Sequence, residues 1–492
     1  MIDSSMYKDT FIAIIISVTL WCVALTSTSS AATSTALPEV ETDPGQETTE
    51  VVEDTKAIAL RGDDERLRPD SQMQTTIGNA LLTFTGALSM DFTGQDNFNL
   101  NKLREQDRFR WTPELNLNFI LTFPKGFYLF SELGIQDELT FQEHVKPLNQ
   151  LDVQIKEFFL QAPLPLSHPS AIRLGRQQFF EPRRWYLNDE LDGFRVFYDP
   201  APWHFSGSIS TPILDQENRY RYFDNIFQHH QQLDLLFEST YGLGSVKQKT
   251  FLGSYVLLRR DSSPLDDNPI WFGLRSYGRP KLKFDVSGSE LWKALFKPRL
   301  NYWIDFSLVR GTQRNQSIRG HAIDVGTTYI ARKLLFEPYL TFGFAYGSGD
   351  TNPSNGSDTN FRQTGFQSNT GKFGGVVNFD YYGVLLDPEL SNLHIYTAGF
   401  GFRPFPRTSV DFVYHYYRQN RHSEDLRDLD IRADPTGINK DLGKEFDVIV
   451  GFLAIQNMRF RLRTGYFIPG KAFDREENDP AFEGRLDLQF SF

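Results

Sequence analysis

The chain has 492 residues, with 51 Lys+Arg against 62 Asp+Glu and a formal net charge of −11 at pH 7. That balance excludes a nucleic-acid binder, which needs a basic stripe against phosphate. A hydrophobic content of only 40% excludes a bundle of membrane-spanning helices, while 44 Phe and 20 Tyr beside 5 Met favour β-structure.

The one long apolar run, Phe11–Leu25, falls short of the roughly 20 residues of a membrane-spanning helix. Lys8 precedes it and the small residues TSTSSAATS follow, which predicts a signal peptide over 1–31, cleaved near Ala31 or Ala32. The single cysteine, Cys22, lies inside it. Residues 32–75 are acidic and rich in Thr and Pro, without sustained periodicity, and predict a disordered periplasmic leader. A transmembrane antiparallel β-barrel is expected over 76–492.

From Ile77 onward apolar and polar residues alternate at period two, so the two faces of each strand can be read off directly. In Asp107–Phe123, Arg108, Arg110, Glu114, Asn116 and Asn118 oppose Phe109, Trp111, Leu115, Leu117 and Phe119. In Asn301–Val309, Asn301, Asp305 and Ser307 oppose Tyr302, Ile304, Phe306 and Leu308; in Glu337–Tyr346, Thr341, Gly343 and Ala345 oppose Leu340, Phe342 and Phe344. The series ends with Leu393–Arg403, Thr408–Arg418, Lys444–Ala454, Met458–Ile468 and Phe482–Phe492, and about 18 such segments are expected in all. Asn268–Lys297 does not divide cleanly, and Ser289–Phe296 fits either a short helix or a turn insertion.

A soluble sandwich also alternates. Three features favour a membrane barrel instead: apolar faces dominated by Phe, Tyr, Leu and Trp, polar faces charged with both signs, and connections that alternate short and long. Short ones include Lys333–Leu334, Pro404–Arg407 and Gln456–Asn457; long ones include Ser348–Asn392, Arg418–Lys444 and Gly470–Ala481. The chain ends on RLDLQFSF, which resembles the C-terminal signal by which outer-membrane barrels are recognised for insertion. The expected location is therefore the outer membrane of a Gram-negative cell.

Several stretches are similar to the alginate-export family of outer-membrane porins. They are IRLGRQQFFEPRRW (Ile172–Trp185), HAIDVGTTY (His321–Tyr329) with AYGSGD (Ala345–Asp350), FRQTGFQSN (Phe361–Asn369), and LGKEFDVIV (Leu442–Val450) with RLRTGYFIPG (Arg461–Gly470). The resemblance covers roughly Lys156 to Phe492. It implies a barrel that passes an anionic uronic-acid polymer from periplasm to exterior through a lumen lined by arginines and interspersed carboxylates. The family's alginate exporter has a long periplasmic connection before the RLR strand, where this chain has the tight turn Ala454–Asn457.

Alternation sets Arg459, Arg461 and Arg463 on one face, Arg108 and Arg110 on that of a second strand, Arg173 on a third, and Arg485 beside Asp487 on the last. An arginine at the lipid midplane costs about 2–4 kcal/mol, so these are expected to face inward. Inward carboxylates are expected at Glu114, Glu132, Glu157, Asp305, Glu445, Asp447 and Asp487. Two roles stay open for each arginine: an anion-selective constriction, in which nearby carboxylates keep every site weak enough to leave, or a salt-bridge network bracing the lumen. Arg176 sits at a strand end where alternation does not fix its face. Two readings stay open for Arg362, Gln363, Gln367 and Asn369 of the long loop Ser348–Asn392: a plug folded into the mouth, which the resemblance of that stretch favours, or an exposed mobile loop, which its Gly, Asn and Ser content favours.

No serine elbow, zinc helix or phosphate loop appears, and no catalytic residue, metal or cofactor is expected. The pair His229–His230 lacks metal-ligand spacing, His394 and His415 lie on strands without a serine partner, and the acidic Asp474–Pro480 is read as a solvated loop. The expected function is an outer-membrane channel for an alginate-like polyuronate. The alternatives are an uptake porin for small anions such as carboxylates or sugar acids and, less favoured, a barrel enzyme acting on lipid or glycan. The expected partners are the anionic polysaccharide, outer-membrane lipid, the barrel-insertion machinery and, since a pore supplies no driving force, a periplasmic secretion complex.

Overall fold

The structure is a computed structural model that describes residues 73–104, 107–142, 148–212, 232–244, 250–263, 266–280, 299–313, 316–352, 355–427 and 430–492. The expected signal peptide, nearly all of the acidic leader, Ser289–Phe296 and His229–His230 lie outside the described residues.

The strands are β1 (Met73–Ile77), β2 (Ala80–Asp96), β3 (Arg108–Thr122), β4 (Tyr128–Gln142), β5 (Leu148–Pro163), β6 (Ser170–Phe180), β7 (Asn188–Tyr198) and β8 (Trp203–Thr211). They continue with β9 (Gln232–Leu243), β10 (Thr250–Asp261), β11 (Asp267–Gly278), β12 (Arg299–Gln313), β13 (Gln316–Ile330) and β14 (Tyr339–Gly347). Three two-residue bridges follow, β15 (Ser357–Asp358), β16 (Thr370–Gly371) and β17 (Phe379–Asp380). The last strands are β18 (Leu393–Phe402), β19 (Thr408–Gln419), β20 (Asp441–Phe452), β21 (Met458–Pro469) and β22 (Ala481–Ser491). Among the described residues there is no α-helix.

Each strand from β2 to β14 pairs antiparallel with its neighbour, β14 pairs with β18, and β22 returns to β2 through Ala87↔Ser491 to Asp96↔Phe482. Eighteen strands thus close into one barrel. Closure satisfies backbone groups that no water could satisfy inside a bilayer. The C-terminus is tied in directly, since Gly86 N–H donates to the Phe492 carbonyl and Phe492 N–H to that of Gly86, both at 2.8 Å. β1 forms a hairpin with the start of β2, so Met73–Thr75, before the expected 76, already belong to a strand.

The outer face is apolar and open: Leu174, Phe237, Leu274 and Phe342 are 60, 57, 62 and 58% exposed. Their neighbours Arg173, Glu238, Arg275 and Thr341 point inward, and Arg173, Arg275 and Thr341 are fully buried. Only lipid makes exposed leucine and phenylalanine at every second position favourable. The 18 barrel strands run from 9 to 17 residues, enough for tilted membrane strands.

The end at which the chain terminates carries short turns such as Phe123–Phe127, Arg403–Arg407 and Leu453–Asn457. The other end carries 348–392, 420–440 and 470–480. The expected alternation is not strict: β11 to β12 takes 20 residues at the short-turn end, while at the other end β12 to β13 takes two and β4 to β5 and β10 to β11 take five each. The segment that resisted division holds a full strand, β11.

Candidate functional site

The loop between β14 and β18 folds into the barrel. Ser348 N–H donates to the His321 carbonyl at 2.9 Å, and β15 lies parallel to the start of β13. An inner hairpin, β16 with β17, then carries the chain to the opposite end. There Arg403 of a short turn holds the Gly374 carbonyl at 2.9 and 3.1 Å, and Val376 N–H donates to Ser409 Oγ at 3.0 Å. The plug therefore runs the whole depth of the barrel along one wall.

Its sequence explains why it goes in. Phe361, Phe373, Phe379, Leu385 and Leu390 are buried and form one cluster with inward-facing Trp271 and Trp303 and with Trp185 of the β6–β7 turn. Phe373 stacks on Trp303 with centroids 5.7 Å apart and planes 4° apart, and Phe361 stacks on Trp185 at 6.3 Å. Each such aromatic buried from water contributes about 1.5–3 kcal/mol.

Polar groups fix where the plug sits. Asp380 accepts from Arg463 at 2.8 Å and from Arg485 at 3.4 Å. Arg461 binds Asp487 at 2.9 and 3.2 Å and reaches the Asn378 carbonyl at 3.1 Å. Glu445 accepts from Leu385 N–H at 2.7 Å, Leu386 N–H at 3.1 Å and Tyr417 OH at 3.0 Å. On the far side Arg183 bridges Asp305 and Asp324, Arg275 bridges Asp305 and Glu181, and Tyr382 OH donates to Asp324 at 2.9 Å. Burial opposes the Arg183 charge, yet facing Asp324, Tyr381 and Asp305 hold its pKa above the usual arginine value. Burial, then the Asp324 charge, raises the phenol of Tyr382, keeping it a donor.

The strand register places all seven predicted arginines on the inward face, in two settings. Arg461, Arg463 and Arg485 close on Asp487 and on the plug's Asp380. Arg459 lies opposite Gln489 on the same strand pair. The others line the β2–β8 wall. Arg108 donates to Gln95 at 2.6 Å, and Gln95 in turn to Glu483 at 2.8 Å. Arg173 donates to Gln161 at 3.1 and 2.8 Å and lies 4.2 Å over the Phe159 ring. Arg110, half-buried opposite Thr93, has no hydrogen bond or ion pair among the described residues. Arg176, two residues on from lipid-facing Leu174, is nonetheless buried and pairs with Asp192 at 3.0 Å.

Of the carboxylates, Glu114 pairs with Lys156, Glu132 lies opposite Glu157, and Glu157 accepts from Gln178 N–H at 3.0 Å. Asp447 lies 3.4 Å from His415 Nε2. In the plug, Arg362 pairs with Asp358, Gln363 and Asn369 exchange hydrogen bonds at 2.9 and 3.1 Å, and Gln367 accepts from Gly365 N–H at 2.8 Å. His415 Nδ1 meets Thr397 Oγ1 at 3.0 Å, and no metal-holding group of His, Cys, Asp and Glu occurs among the described residues.

Sequence reading missed Asp380, Lys156, Arg183, Arg275 and Asp324. Asp324 and Arg275 sit on inward positions of β13 and β11, so alternation could have found them; Arg183 lies inside a stretch already singled out. Nothing local marks Asp380, whose partners are 83 and 105 residues away.

The alginate export family model matches residues 51–482. The chain belongs to the alginate export family. The alginate production protein AlgE of Azotobacter vinelandii is 26% identical over 172 residues, 30% of this chain and 36% of that protein, so the match spans about a third of the relative. Among solved structures, the outer membrane protein OprD from Pseudomonas aeruginosa aligns with TM-score 0.53 at 11% identity, covering 84% of this chain and 93% of that one. Pseudomonas aeruginosa OccK5 (OpdH) gives 0.52 at 12%, covering 83 and 98%, and OccK2 (OpdF) in complex with glucuronate gives 0.51 at 12%, covering 84 and 98%. These likenesses show the fold. With the lipid-facing belt and the family, they make this chain an outer-membrane β-barrel of a transport family.

Proposed function

We propose that the barrel passes an anionic uronate polymer from periplasm to exterior, along the strands that carry Arg108, Arg110 and Arg173. The observation that carries this reading is the division of the lumen cations. Arg463 and Arg485 are engaged by the plug's Asp380, and Arg461 by Asp487 and the Asn378 carbonyl, while Arg108, Arg110, Lys156 and Arg173 stand on β3, β5 and β6 among Glu114, Glu132 and Glu157. A path of cations tempered by carboxylates attracts a polyanion without trapping it. The family's name, and that of its relative AlgE, point to alginate as the polymer. Arginines 461, 463 and 485 then brace the plug, and Arg110 and its neighbours give the pore its anion preference. A signal peptide over 1–31 delivers the chain, and a periplasmic complex supplies the driving force. Transport, and no bond-breaking step, is the activity.

A second reading, uptake of small acids, is favoured by how much of the lumen the plug fills and by the glucuronate in the OccK2 complex. Planar-bilayer conductance of the refolded full chain decides between them. Anion selectivity, with block that strengthens with oligouronate length, is expected for polymer passage. Block by monomeric acids alone would transfer the function to small-anion uptake, and cation selectivity would reject both.

A further inference from the structure

The tip of the plug and the two short turns beside it carry cations that no partner among the described residues neutralises. Lys372 follows directly on β16 and is exposed, although its neighbour Phe373 is buried against Trp303. Arg403 holds the tip two residues further on, at Gly374, so Lys372 meets water at the short-turn end of the lumen. The adjoining turns are joined by Arg403 N–H donating to the Phe336 carbonyl at 2.7 Å and by the Arg403–Glu337 pair at 3.4 Å. They expose Arg332, Lys333 and Arg407. None of these four cations has a hydrogen bond or ion pair among the described residues, and the one carboxylate of the two turns, Glu337, is taken by Arg403. The opposite end differs: its loop 470–480 carries Asp474, Glu476, Glu477 and Asp479 against Lys471 and Arg475.

We propose that Lys372, Arg332, Lys333 and Arg407 form the capture site at which a polyanionic glycan is drawn into the barrel from the periplasmic side, with Lys372 as its innermost contact. This rests on the polymer-passage reading and adds an entry site to it. Four free cations in a chain of net charge −11 make a local positive field, which raises the concentration of a polyanion at that mouth. A polymer touching several at once gains from their effective concentration. Inner-leaflet phosphates compete for the three turn cations, since Leu335, Phe336 and Phe405 beside them are exposed like the lipid-facing belt. A headgroup does not reach Lys372, which stands on the plug inside the strand wall.

The test is block of single channels by oligouronates added to one side at a time, with wild type, Lys372→Gln, Lys372→Arg and the triple Arg332→Gln/Lys333→Gln/Arg407→Gln, all checked for the heat-modifiable mobility of a folded barrel. Block from the short-turn side should weaken about threefold per charge removed, as for an exposed ion pair. It should recover in Lys372→Arg and fade with salt, while block from the loop side stays unchanged. Equal weakening from both sides, or none in Lys372→Gln, would overturn the capture site. A triple variant altered only in membranes containing anionic lipid would likewise overturn it, assigning the turns to lipid. A wild-type channel that no oligouronate blocks from either side would instead remove the polymer reading itself.

Discussion

Replacing Asp380 by Asn separates holding the plug from building the barrel. Asp380 accepts from Arg463 at 2.8 Å, with both side chains under 10% exposed, and from Arg485 at a weaker 3.4 Å. A hydrogen bond to a charged group contributes about 1.5–3 kcal/mol. Asn keeps an acceptor oxygen, and the arginines keep Asp487, Glu483 and Asp430, so the roughly 3–5 kcal/mol of an orphaned buried charge does not apply. About 2 kcal/mol remains, near a 30-fold shift in the balance between seated and unseated tip, since 1.4 kcal/mol is tenfold. The strand ladder is untouched, so folding yield and heat-modifiable mobility should match wild type. Single-channel records should show openings roughly 30-fold more frequent. Asp430→Asn, which removes an outer partner that is 46% exposed, should change little. Unchanged opening in Asp380→Asn, or an equal effect of both variants, would refute the assignment of this pair as the tip's anchor.

Phe373→Ala removes the ring stacked on Trp303 and should weaken tip seating by about 3–5 kcal/mol, seen as a larger mean conductance in a normally folded barrel; conductance equal to wild type would leave the polar grips as sufficient. Gly326→Ala places a Cβ 2.1 Å from the Trp303 ring. It should cost about 1–3 kcal/mol by overpacking and lower refolding yield, and normal yield would mean that Trp303 has room to move. Leu390→Ala, at a fully buried position in the root of the plug, should cost about 2–5 kcal/mol and appear as protease sensitivity of the loop. Asp358, in the outer part of the plug, is pushed up by burial. The hydrogen bonds from Arg362 and Asn360 and the charges of Arg362 and Arg427 more than offset this, and its pKa is lowered. Its contribution is therefore complete above the unfolded value of 3.8 and is lost as pH falls through the lower folded value. Openings should rise only below pH 3.8, and Arg362→Gln should abolish that step; a step at neutral pH would point to other groups.

The outer face was legible because lipid imposes one rule on every strand. Leu486, Leu488 and Phe490 announced β22, and the expected Leu393–Arg403 and Thr408–Arg418 differ by one residue each from β18 and β19. The inner face obeys no such rule. Where the plug lies against it, the wall must be apolar on that side too: Tyr255, Leu257, Trp271, Trp303 and Val309 all point inward and are buried. Strands β10 and β11 thus carry buried apolar residues on the inner face as well as the outer, which weakens the period-two signal and explains why Asn268–Lys297 resisted division. The plug's position follows from pairings more than 80 residues apart, such as Arg463 with Asp380, which no local pattern encodes.

The same packing divides the plug into two parts of different mobility. From Phe379 to Leu386 every residue is buried, and Glu445 caps the backbone of Leu385 and Leu386. Unseating this root would expose apolar plug and wall together. The tip from Gly371 to Val376 is only partly covered, carries exposed Lys372, and is held at Arg403 and Ser409 by backbone atoms rather than charges. The cheapest motion that widens the lumen is therefore a swing of the tip about a fixed root, with Asp380 at the junction. On this argument Asp380→Asn and Phe373→Ala change gating and leave protease resistance intact, whereas Leu390→Ala does the reverse. If all three alter both readouts in proportion, the plug moves as one body and the division into root and tip is wrong.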